Sequence, residues 1–144
     1  MLLQLRAPEV ELWPNVWDVA VGTHVRPGED PAVAAQRGLQ AELGLTVTPE
    51  SLKHLFNVQA ANPLGDGTKH RVLGHVFLLK QEIDPKQLQV DPGKIVRLAW
   101  RPIARVMADI GNTETGKLYF PREGNYYPQL FGALAAEVPP EIAA

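Results

Sequence analysis

Both ends of one helix are written into the chain between Asp30 and Gly44, and this segment constrains the fold more than any other. The Asp30 side chain can accept hydrogen bonds from the free amides of a first turn. Pro31 suits the first helical position, where its missing N–H costs nothing, and Gly44 can take the left-handed conformation that stops a helix. The spacing therefore predicts a helix over Pro31–Leu43. Within it Ala35, Leu39 and Leu43 recur every four residues and are expected to face a sheet, while positions 38, 41, 42 and 45 gather on a neighbouring strip. Gly38 lies on that strip although glycine inside a helix costs about 1 kcal/mol relative to alanine. Local helix stability does not account for it.

Short apolar segments surround this helix. Leu2–Arg6, Trp17–Val21, Leu52–Val58, Val72–Leu79 and Ile95–Trp100 are rich in Val, Leu, Phe or Trp, are bounded by breakers, and read as strands. Ile103–Asp109 and Tyr127–Glu137 carry helical spacing. The alternation predicts an α+β fold, an α/β/α sandwich in which helices flank a mixed sheet. With 144 residues, 45% of them hydrophobic, and no internal repeat or low-complexity tract, one domain over 1–144 is expected. The formal net charge of -2 and pI near 6.1 supply no basic field for a polynucleotide or an anionic membrane, so a nucleotide-sized ligand fits better. The absence of cysteine removes disulfides, thiolate metal sites and cysteine nucleophiles together. No apolar run approaches the ~20 residues of a membrane span, and the opening Met1–Arg6 is too short for a signal-peptide core, so a cytoplasmic location is expected.

The stretch GTHVRPGEDPAVAAQRGLQAELGL, from Gly22 to Leu45, resembles the Nudix box, G-x5-E-x7-R-E-U-x-E-E-x-G-U, in which U is a bulky aliphatic residue. Glu29, Arg37, Leu39, Glu42, Gly44 and Leu45 fall on specified positions. Thr23 replaces the first glycine, Gly38 the first helix glutamate and Ala41 the second. LLQLRAPEVELWPNVWDVAVGTHV, ahead of and into the box, resembles the strand, proline-containing loop and short strand that precede it in Nudix proteins. VRLAWRPIARV is similar to the late family strand that ends in tryptophan before a helix, and GNYYPQLFGAL to the closing helix of the isopentenyl-diphosphate-isomerase-like branch. A Nudix sheet normally has another strand before the Leu2–Arg6 segment, so the sheet is expected to lack its usual first strand. Leu2–Arg6 would then be an exposed edge that invites pairing with a second chain, and a homodimer is expected.

The resemblance implies hydrolysis of a diphosphate linkage in a nucleoside-diphosphate-linked small molecule, with Mg2+ or Mn2+ held by the box glutamates. It assigns Glu42 and Glu29 as the remaining metal-binding and catalytic residues and Arg37 as the residue that steadies the loop. Gly22, Thr23 and His24 are placed beside the pocket, though for His24 a hydrogen-bonding residue next to the turn is the favoured reading. Magnesium takes one or two carboxylates plus waters and substrate phosphates, and losing even a supporting residue costs a metal site roughly 10–100-fold. Glycine at 38 and alanine at 41 are thus expected to weaken the metal site. Two functions stay open, a slow hydrolase or a non-catalytic Nudix fold that binds a nucleotide or a protein partner. Isopentenyl-diphosphate isomerase chemistry is set aside, because in the metal-dependent family it uses a cysteine acid. His70 and His75, five apart on one strand, would point to opposite faces, and His54 has no partner in sequence. ANPLGDGTKHR reads either as a substrate loop or as a hairpin connection.

Overall fold

The computed structural model describes residues 1–138; residues 139–144 of the expected domain lie outside the described residues. Helix α1 spans Pro31–Leu43, with the Asp30 carboxylate accepting from the Ala32 amide and Gly44 in the left-handed region at φ 66°. Its buried residues are Ala34, Gly38 and Leu43, while Ala35 and Leu39 are half-buried and Ala41 is exposed. The inward stripe is therefore rotated from the expected 35/39/43 face. The cause lies outside the helix, in the preceding loop, where Val21 and Thr23 pack directly over Gly38.

Five strands follow in chain order, β1 over Leu2–Arg6, β2 over Trp17–Val19, β3 over Lys53–Pro63, β4 over Lys69–Leu78 and β5 over Ile95–Trp100. β1 pairs antiparallel with β2 on one side and with β5 on the other, where Leu2 meets Trp100. It is the central strand of its sheet, which corrects the expectation of an exposed β1 edge and removes the argument for a homodimer built on it. β3 and β4 form a second antiparallel sheet as one long hairpin, whose ladder runs on to Pro63 opposite Lys69. ANPLGDGTKHR is thus mostly ladder, with its turn made by Gly65 and Gly67 at φ 88° and 91°. Within β3 the register shifts between His54 and Phe56, a β-bulge.

Helices α2 (Ile103–Gly111) and α3 (Tyr126–Glu137) cover these sheets. Leu3, Trp17, Val106 and Tyr119 form one core cluster, joining β1, β2 and α2. Val58, Tyr126, Leu130 and Leu134 form the other, in which α3 lies on the inner face of the hairpin against Leu55, Phe56, Val76 and Leu78. Leu3 and Val106 are almost wholly buried, each contributing roughly 1.5–3 kcal/mol relative to exposure. The architecture is α+β, antiparallel sheets flanked by helices in a Nudix-like α/β/α sandwich, and parallel pairing enters at a bridge between Trp17 and Tyr119. No described helix is long and apolar enough to cross a membrane.

Candidate functional site

The loop between β2 and α1 is tied to the helix by one arginine. Arg37 Nε donates to Glu29 Oε2 at 3.0 Å, and its Nη2 donates to Glu29 Oε1 at 2.9 Å and to the His24 carbonyl at 2.7 Å. The Arg26 amide adds a further bond to Glu29 Oε1 at 3.0 Å. The Arg37 guanidinium, seconded by the Arg26 amide, holds the Glu29 carboxyl down at about 2. Such a forked ion pair fixes geometry as well as charge. Both Glu29 oxygens are occupied in closing the loop, and Glu29 turns to Arg37 rather than to Glu42.

Gly38 explains itself once the loop is in place. A Cβ built there would lie 2.9 Å from Thr23 Cγ2, 3.0 Å from Thr23 Cβ and 3.1 Å from Val21 Cγ1. Those separations are shorter than carbon–carbon contact, for which the optimum is about 3.5–4.0 Å. Two of the departures from the box pattern are therefore in direct contact. Where the pattern has glycine in the loop and glutamate on the helix, this chain has a side chain in the loop, Thr23, and none on the helix.

Glu42, one turn further along, is half-buried. Its Oε2 is enclosed and has no hydrogen-bond partner among the described residues. Burial lifts the Glu42 carboxyl above its ordinary value, while the Gly22 amide and the charge of Lys94 pull the other way. An enclosed carboxylate oxygen without a partner is what a vacant cation ligand looks like, but it stands alone. Among the described residues no group of three or more His, Cys, Asp or Glu side chains is placed to hold a metal ion. Asp18 in β2, whose charge acts on Glu42, accepts from Arg122 Nη2 at 2.7 Å and lies 3.9 Å from Arg6. The donors present do not fit the magnesium or manganese site that the resemblance implies.

The Asp18–Arg122 pair could not be found by reading spacing, since its members lie 104 positions apart. The Arg122 guanidinium lies over both Phe120 and Tyr126, 4.6 Å from each ring centroid. Its Nε has no hydrogen-bond partner among the described residues. His24 stands near His70, their ring centroids 6.2 Å apart, so the box loop and the hairpin approach each other at that point. The hairpin's outer face carries a shallow groove of about 450 Å³, lined by Lys69, Arg71, Leu73 and Glu123 among others.

Comparison with known proteins agrees with this architecture. The crystal structure of DR0079 from Deinococcus radiodurans superposes with a TM-score of 0.60 at 20% identity, over 91% of this chain and 72% of that one, a likeness of fold. Nudix hydrolase 3 of Arabidopsis thaliana is 34% identical over 56 residues, which are 39% of this chain and 7% of that much longer protein. An isopentenyl-diphosphate Delta-isomerase of Paenarthrobacter aurescens is 28% identical over 136 residues, 94% of this chain and 70% of the enzyme. Residues 1–120, from the start of β1 through the box helix to the loop after α2, match the NUDIX domain, and the chain belongs to that family.

Proposed function

We propose that this chain is a non-catalytic NUDIX-fold module that binds a nucleotide or another small molecule bearing a diphosphate. The observation that supports this reading is the packing of Thr23 and Val21 on Gly38, which leaves no room for a carboxylate where the box pattern supplies its first helix glutamate. Glu29 is committed to Arg37 and Ala41 has no ligating group, so Glu42 alone remains of the box carboxylates. The loop and helix of the box are retained without the charges that would hold a metal. We place the module beside the isopentenyl-diphosphate isomerases within the family, on the likeness to the Paenarthrobacter aurescens enzyme. The chain lacks the cysteine acid of that reaction.

Isothermal titration against nucleotide sugars, dinucleoside polyphosphates and nucleoside triphosphates tests the proposal, with product release followed in parallel in Mg2+ and Mn2+. Binding without turnover is the expected result. The enclosed, unpartnered Oε2 of Glu42 supports a second reading, a slow hydrolase. Turnover that a Glu42→Gln change abolishes would establish that reading and refute the first. If no compound in the panel binds, the small-molecule reading itself fails.

A further inference from the structure

We propose that His54, Asn57 and His75 form a binding site for a divalent first-row transition-metal ion, separate from the box and built by the bulge in β3. In a regular strand, residues three apart point to opposite faces, so His54 and Asn57 would be divided between core and solvent. The register shift between His54 and Phe56 resets that alternation. Leu55 and Phe56 both pack into the α3 cluster, and His54 and Asn57 are both left on the outer face. His75 of β4 is the direct cross-strand partner of Asn57 and joins them there.

Both imidazoles converge on the Asn57 side chain. His54 Nε2 lies 2.8 Å and His75 Nδ1 2.9 Å from Asn57 Oδ1. Phe77, opposite His54 in the ladder, packs edge-on against the His54 ring with centroids 5.5 Å apart, which holds the imidazole in place. Ligands held on bonds of about 2.0–2.1 Å to one ion lie roughly 2.9–3.4 Å from one another, so the nitrogen–oxygen separations are already near ligand spacing, and the exposed His54 and half-buried His75 rings need only turn their nitrogens from Asn57 Oδ1 toward the ion. Two imidazoles and an amide oxygen select for Cu2+, Ni2+ or Zn2+ over Mg2+ or Ca2+, which prefer carboxylate-rich oxygen sites, and the general order of affinity favours Cu2+. Exposure leaves the remaining coordination positions to water. Lys53 and Lys80, the nearby cations, are both engaged by Glu137, at 2.6 and 3.1 Å.

The chain has four histidines, which makes the test internally controlled. The full chain is titrated with Cu2+, Zn2+ and Mg2+ by calorimetry, and the Cu2+ form is examined by electron paramagnetic resonance. The expected result is one Cu2+ per chain with imidazole nitrogen coupling, weaker Zn2+ binding and no Mg2+ binding at the same concentrations. His54→Gln and His75→Gln should each weaken Cu2+ binding at least ~10-fold, the lower bound for losing even a supporting residue at a metal site. Circular dichroism of each variant checks that the hairpin is intact. The double variant His24→Gln/His70→Gln should bind as the natural chain does. The site is refuted if Cu2+ does not bind, if binding survives loss of His54 and His75, or if the double variant at 24 and 70 is the one that loses it.

Discussion

Adding a single methyl group at Gly38 measures how tightly the box loop is seated on α1. In an open helix interior, Gly38→Ala would stabilise the protein by about 1 kcal/mol through helix propensity alone. Here the new Cβ meets two Thr23 atoms and one of Val21 at 2.9–3.1 Å, and overfilling a packed site costs about 1–3 kcal/mol. The clash outweighs the propensity, and a net loss of about 1 kcal/mol is expected, lowering the midpoint of thermal unfolding by roughly 3–5 °C for a chain of this size. Thr23→Gly removes the larger obstacle and should itself cost about 0.5–1 kcal/mol in backbone freedom. In that background the methyl at 38 should become neutral or stabilising, so the double-mutant cycle should show a coupling of at least about 1 kcal/mol. Urea denaturation of the four proteins, with unchanged m-values, supplies the free energies. Additivity within about 0.5 kcal/mol, or a Gly38→Ala single variant more stable than the natural chain, would refute the steric account of the altered box.

Glu29→Gln is expected to remove an acid-sensitive part of the stability. The Glu29 carboxyl is held at about 2, below its ordinary 4.5, so its contribution is complete above pH 4.5 and is lost as pH falls toward 2. Thermal midpoints measured across that window should fall more steeply for the natural protein than for the variant, with the two curves converging at the acid end. Arg122→Met should cost about 3–5 kcal/mol by stranding the buried Asp18 carboxylate, measured by urea denaturation at neutral pH. A loss under about 1 kcal/mol would mean that Arg6, 3.9 Å away, can balance Asp18 unaided.

What could be read from the sequence was what local chemistry decides. α1 begins and ends where Asp30, Pro31 and Gly44 place its limits, and β1 and β5 span the apolar segments bounded by their breakers. What stayed hidden depended on contacts across the chain. The inward face of α1 was misjudged because the weight of Thr23 and Val21 on Gly38 is invisible in helical spacing. His54 had no visible partner because periodic reading assumes unbroken alternation, and one extra residue in β3 reversed it. The same spacing argument correctly separated His70 from His75, since no bulge lies between them. At the box, residue types exposed the missing glutamates, but only the packing showed that Thr23 lies against Gly38.

The pairing of β1 with β5 also sets an order of events in folding. The hairpin of β3 and β4 closes through a short turn, so its two halves can meet as soon as both exist, on the microsecond scale typical of hairpins. β1 leaves the ribosome well before its β5 neighbour and cannot pair with it until Ile95–Trp100 has emerged, and the Met1 nitrogen finds its acceptor, the Arg101 carbonyl, 100 positions later. At about 5–20 residues per second, β1 waits several seconds with that edge open. β2 can shield its other side in the meantime, and β2 waits in its turn for Tyr119, which bridges to Trp17 102 positions later.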